Sequence, residues 1–283
     1  MTNKRTPGPP ARHAFTMTQT DSYPDPTAAA RRARVALVTG AGRRIGRAIA
    51  LGLAAAGWDV AVHYRQSAAD ADEVVGAIRA LGRRAVALHA DLGTEAAVRA
   101  LPGQAMHLLG RLDCIVNNAS LFEYDKPSMF SPALLAAHMQ CNVTAPLLLA
   151  QALHALVPDG GQAVVINLLD QKLYNLNPDF LSYTLSKAAL QTATTMLAQA
   201  LAPKLRVVGV APGITLVSGD QSPDGFERAH QITPLGRSST PQDIVDAVCY
   251  AANARALTGT TLLVDGGQHL MPLARDVMFL TED

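Results

Sequence analysis

Thr39-Gly40-Ala41-Gly42-Arg43-Arg44-Ile45-Gly46 follows the short apolar run Val35-Val38 and opens an Ala/Leu-rich segment of helical period, Ile45-Ala56. A strand that turns into a helix through glycines lets backbone approach a ligand closely, and the first N–H groups and dipole of the helix favour an anion there. The placement matches the fingerprint that seats a dinucleotide pyrophosphate, with one change. Where a middle glycine is usual, this chain has Arg44. An arginine beside bound phosphates points to extra anionic charge on the ligand. Gly40, Arg43, Arg44, Ile45 and Gly46 are therefore candidate cofactor-binding residues.

Outward from this loop, short β-branched runs alternate with longer helical segments. That alternation is the signature of repeated βαβ units on a parallel sheet. The pattern predicts strands at Val35-Val38, Asp59-His63, Ala85-His89, Cys114-Val116, Ala163-Leu168, Arg206-Val210 and Thr261-Val264. Helices are expected at Ile45-Ala56, Ala68-Leu81, Glu95-Leu109, Pro132-Leu156, Ser182-Leu201 and Pro241-Ala252. The expected fold is α/β, a single-domain Rossmann fold with a seven-stranded doubly wound parallel sheet over residues 35-283. Residues 214-233 show no readable periodicity and read as a loop that sets selectivity.

The second strand tests the cofactor. A dinucleotide fold usually places Asp or Glu at its end for the adenosine ribose of NAD, but here the run is Val62-His63-Tyr64-Arg65-Gln66-Ser67. A cation and a hydroxyl at that place suit a 2′-phosphate. His63, Tyr64, Arg65 and Ser67 thus join the candidate set, and the expected cofactor is NADP(H).

Composition narrows the class. The 283 residues are 49% hydrophobic and 17% charged, enough to bury a full core. A net charge of +1 gives no support for nucleic acid or a membrane surface as partner. Residues 1-34 differ, with six basic residues against two acids and many prolines, and read as a disordered basic arm. They lack the apolar core of a signal peptide, and no later stretch reaches about 18 uninterrupted apolar residues. Cys114, Cys141 and Cys249 are few, scattered and set in apolar runs, which suits a reducing, cytoplasmic setting. The histidines show no metal-ligand spacing, so no metal is expected.

A second chemical signal is Tyr183-Thr184-Leu185-Ser186-Lys187, opening the helix after the fifth strand. Residues i and i+4 share a helix face, so the Lys187 ammonium is expected near the Tyr183 phenol, lowering its pKa from about 10 toward that of an acid/base catalyst. The same ammonium would reach a nicotinamide ribose.

Taken in order, these motifs over residues 35 to 268 resemble the short-chain dehydrogenases/reductases, single-domain Rossmann enzymes with TGxxxGxG, NNAG, a helix Asn, a Ser and YxxxK. The counterparts here are Thr39 to Gly46, Asp91, Asn117-Asn118-Ala119-Ser120, Asn142, Tyr183 with Lys187, Pro212-Gly213 and Val264-Asp265-Gly266-Gly267. The resemblance implies that Asp91 holds the adenine, Asn118 the wall between sheet and cofactor, Asn142 a water relay to Lys187, and Pro212-Gly213 the nicotinamide side. Leu92, Ala119 and Ser120 complete the implied cofactor-binding set.

Three departures carry substrate information: Arg44 in the glycine loop, Ser120 followed by Leu121-Phe122 in place of the NNAG glycine, and Asp170 thirteen residues before Tyr183 where the family usually has Ser. Together they resemble the pteridine reductase branch, whose members reduce pterins or dihydrofolate-like compounds with NADPH, usually as homotetramers. There is an independent chemical reason for the Asp. A hydroxyl suits a substrate carbonyl, whereas reducing a ring C=N requires a proton at nitrogen, which a buried carboxyl can hold and relay. Asp170, Tyr183, Lys187 and Asn142 are the expected catalytic residues. Ser120, Phe122, Asp170 and Tyr183 are the expected substrate contacts, Phe122 facing a flat heterocycle. Two other readings stay open: a carbonyl reductase acting on a 3-oxoacyl thioester or sugar, and an NADP(H)-sensing protein without turnover. In a homotetramer the C-terminal segment Gly266-Asp283 is expected near a neighbouring subunit's site.

Overall fold

The computed structural model describes residues 33–217 and 222–279. The basic arm, apart from Ala33 and Arg34, lies outside them. Seven strands, β1 (Val35–Val38), β2 (Asp59–Tyr64), β3 (Ala85–His89), β4 (Cys114–Asn117), β5 (Ala163–Leu168), β6 (Leu205–Pro212) and β7 (Thr261–Val264), form one sheet in the order β3-β2-β1-β4-β5-β6-β7. Every pairing is parallel.

Successive side chains on a strand face opposite ways. On β1, Ala36 and Val38 join one core with Ile49, Leu53, Trp58 and Val248, while Val35 and Leu37 join the other with Leu101, Ile115, Leu149 and Leu153. Both faces are covered, which is why these strands read as continuous apolar runs. Helices α1 (Arg44–Ala55), α2 (Ala68–Ala80) and α8 (Pro241–Asn253) take the first face. Helices α3 (Glu95–Leu109), α5 (Ala145–Leu156) and α6 (Leu181–Ala200) take the second. Strand order reverses between β1 and β4, and at such a switch point the loops beyond the carboxyl ends diverge into a crevice.

Two features depart from the sequence reading. The long helix is α4 (Pro132–Met139) running into α5 through a π turn, Gln140–Thr144, whose extra residue turns Asn142 and Val143 inward. By length and composition alone, Pro132–Leu156 would cross a membrane. Here Ala145, Leu149, Ala150 and Leu153 are buried in the core of the second face. The stretch 214-233 also holds a helix, α7 (Pro223–Gln231), started by Ser222 Oγ accepting from Gly225 N at 3.0 Å and by Pro223 in its first turn. It is nine residues long, polar on average, and buries only Gly225 and Ala229, so no apolar run marks it in the sequence.

Candidate active site

The glycine loop is held from below. Thr39 Oγ1 accepts from Asn118 N and Ala119 N, each at 3.0 Å, and Asn118 Nδ2 donates to Thr39 O (2.9 Å) and Gly40 O (3.2 Å). Gly40 has φ +62°, and a Cβ on Gly46 would stand 2.2 Å from Gly40 O, so both positions require glycine. The buried imidazole of His63 pins the same turn. Its Nδ1 accepts from Gly40 N at 3.1 Å while Nε2 meets Ala90 O at 3.1 Å. Burial pulls its pKa down to about 4. His63 therefore supports the loop from behind.

The helix beyond is built for an anion. No side chain caps α1 at Arg43 and no acid occupies its first turn, so its N–H groups and positive dipole end remain for a ligand. Arg44 keeps the backbone of the glycine it replaces, with φ +51°. Arg43 is engaged elsewhere, pairing with Asp70 at 2.6 Å. Arg65 is exposed and makes no ion pair among the described residues, and Ser67 lies beside Gly42. Arg65 and Ser67 could therefore clamp a phosphate on the adenosine ribose. Asp91 turns back on its own loop, accepting from Gly93 N at 2.9 Å.

At the other end, Asp170 follows β5 and Tyr183 opens α6. The Tyr183 hydroxyl donates to Asp170 Oδ2 at 2.7 Å, and Lys172 N donates to Asp170 Oδ1 at 2.8 Å. Burial raises the Asp170 pKa, against the lowering effect of these two bonds. Burial and the adjacent Asp170 carboxylate push Tyr183 well above the usual phenol value. The expected lowering of Tyr183 by Lys187 is not found. The Lys187 ammonium donates to Leu168 O at 2.7 Å and stands 5.7 Å from the Tyr183 ring centre, while burial brings its own pKa to about 8. In this state the carboxylate, not the ammonium, sets the phenol.

Phe122 is wedged between Phe180, stacked at 4.4 Å, and the edge of Tyr183 at 4.7 Å. Phe180 itself has φ +54°, an uncommon conformation for a bulky side chain and one that concentrates at functional sites. The expected residues line one cavity of about 1080 Å³, from Arg65 and Ser67 past the glycine loop to Asp170, Pro212 and Gly213. Asn142 is the exception. Its amide is spent on Leu121 N (2.8 Å), Leu121 O (3.0 Å), Ser120 Oγ (3.2 Å) and Ser186 Oγ (2.9 Å), and no direct bond runs to Lys187. It positions the Ser120-Phe122 segment rather than touching the cavity.

Sequence reasoning missed the cavity residues Gln171, Lys172, Asn175, Gln268, Leu273 and Asp276. The one local hint was a lysine two residues after Asp170. In the C-terminal segment, Leu273, Asp276 and Val277 line the cavity of their own chain.

Comparison with known proteins finds similar reductases. The family model described as enoyl-(acyl carrier protein) reductase matches residues 40–269. A crystal structure of the FolM alternative dihydrofolate reductase 1 from Brucella canis, complexed with NADP, superposes with a TM-score of 0.82 at 40% identity, covering 87% of this chain and 97% of that one. Dihydromonapterin reductase of Escherichia coli is 31% identical over 236 residues, 83% of this chain and 96% of that protein. The 3-oxoacyl-[acyl-carrier-protein] reductase of Synechocystis is 33% identical over 239 residues, 83% and 96% respectively.

Proposed function

The chain belongs to the short-chain dehydrogenase/reductase family, and from that premise we propose that it is an NADPH-dependent reductase of pterin or dihydrofolate-type substrates. One observation carries the substrate class: the 2.7 Å bond between the Tyr183 hydroxyl and a buried carboxyl, Asp170, where a carbonyl reductase of this family has a hydroxyl.

The cradle fits the cofactor, since Gly46 has no room for a Cβ, the α1 N-terminus is uncapped, and Arg65 with Ser67 offers a phosphate clamp without an acid. When bound, NADPH supplies the hydride for the ring C=N. The protein supplies the proton. In the protonated form that burial favours, Asp170 would carry its proton on Oδ2 and donate to the Tyr183 oxygen, so that as Tyr183 gives its hydroxyl proton to the ring nitrogen the carboxyl proton crosses the same hydrogen bond to replace it and leaves Asp170 as the carboxylate. Lys187, tied to Leu168 O, stands ready for the nicotinamide ribose, and Phe122 supplies an aromatic wall of the cavity for the heterocycle.

The Synechocystis relative favours a second reading, a carbonyl reductase on a 3-oxoacyl thioester. NADPH oxidation measured side by side with dihydropterin, dihydrofolate, biopterin and acetoacetyl thioester separates the two. Turnover confined to the thioester would overturn the pterin reading, and binding without turnover of any of them would leave the sensing protein. A homotetramer in a reducing, cytoplasmic setting belongs to the same proposal, supported by unpaired Cys114, Cys141 and Cys249 and by apolar surface on α4 and α6.

A further inference from the structure

The substrate half of the cavity has a wall that the proton relay does not use. After β7 the chain returns across the site, and it is fastened there by polar bonds, most of them partly buried. Lys172 is 3% exposed, and its Nζ donates to the Asp276 carboxylate at 2.9 Å and to Asp179 O at 2.7 Å. Asp179, 2% exposed, accepts from Arg275 Nε (2.7 Å), an Arg275 terminal nitrogen (3.0 Å) and Asp276 N (2.8 Å). Asn175 bonds Met271 O and accepts from Leu273 N, and Phe279 stacks over Phe180 at 6.1 Å.

A buried ammonium costs several kcal/mol unless it is paired, so packing alone would favour an apolar side chain at position 172. Lys172 also faces both ways. Its backbone N–H fixes Asp170 Oδ1, while its side chain fixes a carboxylate 104 residues further along. Lys172 and Asp276 both line the cavity.

We propose that Lys172 is a positioning residue for the reduction, its backbone orienting the Asp170 carboxyl and its ammonium holding Asp276, and with it the strap 271–279, as the substrate-side wall. This rests on the reductase reading. Around Asp276 stand Lys172 beside Asp170, Tyr183 on α6, and Arg275 paired with Asp179. The Asp276 negative charge adds to burial in raising both Asp170 and Tyr183, which helps keep the proton on the donor pair at neutral pH.

The test uses the full chain as wild type, Lys172→Met, Lys172→Arg and Asp276→Asn. Lys172→Met should raise KM for a dihydropterin at least about tenfold while the NADPH Kd stays within about twofold, and Lys172→Arg should recover most of the loss. Without any ligand, Lys172→Met should also speed amide exchange across 271–279. In Asp276→Asn the basic limb of the kcat/KM profile should move about half a pH unit lower, because the donor must be protonated and loses a neighbouring negative charge. Unchanged KM and exchange in Lys172→Met, or superposable pH profiles in Asp276→Asn, would overturn the proposal. An inactive wild type would instead remove the reductase reading, and the exchange measurement would still decide the strap. Should Lys172→Met fail to fold, Lys172→Arg and Asp276→Asn carry the test through KM and the pH profile.

Discussion

Asp170 is the residue whose identity most constrains the chemistry, because a serine there would leave Tyr183 without a carboxyl hydrogen-bond partner. Asp170→Ser should lower turnover on dihydropterins at least about tenfold, below what a positioned acid commonly contributes, with NADPH affinity nearly unchanged. Full pterin activity in that variant would leave the carboxyl without a role. Arg65 decides the cofactor in the same way. With an exposed guanidinium at the end of β2 that makes no ion pair among the described residues, and no acid at the end of that strand in sequence, NADPH should bind at least about tenfold tighter than NADH, and Arg65→Asp should narrow or invert that gap in a fluorescence titration. These residues were legible because each sits in a local motif: glycines at fixed offsets after a strand, or Tyr and Lys one helical turn apart. The relation between Tyr183 and Lys187 was misread for the converse reason. The partner that takes the Lys187 ammonium is Leu168 O at the end of β5, a neighbour made by the fold and absent from the spacing. The pairing of Lys172 with Asp276, 104 positions apart, had no local signal.

Among elements, strands and helices were readable to within a residue or two wherever one face is buried against the sheet, and unreadable where burial is sparse, as in α7, or where an extra residue is inserted, as in the π turn. That π turn matters to the site because it directs the Asn142 amide onto Leu121 and so sets the segment carrying Phe122. The turn between β1 and α1 depends in turn on one imidazole from β2. His63 must stay neutral at Nδ1 to accept from Gly40 N, and its pKa falls from the ordinary 6.5 to about 4 on burial. Between pH 4 and 6.5 the unfolded chain therefore binds more protons than the folded one. Stability should rise with pH through that window, by up to about 3 kcal/mol from this group, and be independent of it above. Urea midpoints at pH 4.5 and 7 should differ more in wild type than in His63→Gln, and equal differences would assign the acid sensitivity elsewhere.

For the whole molecule, two helices leave apolar side chains at the surface among the described residues. Helix α4 reads Pro-Ala-Leu-Leu-Ala-Ala-His-Met, yet the residue it buries is His138, leaving its leucines and alanines only partly covered or exposed. On α6, Leu185 is 46% exposed and Met196 is 63% exposed, although the same helix buries Tyr183, Lys187 and Leu190 on its other side. An apolar helix normally ends buried, so partner subunits are the expected cover. Leu273, Asp276 and Val277 of the strap 271–279 line the cavity of their own chain, and the cover of these helices is a separate reason to expect assembly. Light scattering at micromolar concentration should give four times the 29.8 kDa chain mass. Leu185→Glu, placing a charge in the proposed contact, should lower that mass, and because residue 185 points away from Tyr183 and Lys187 it should leave NADPH binding in place. A monomeric wild type would refute the assembly and leave the exposed alanines of α4 and Leu185 and Met196 of α6 as ordinary surface.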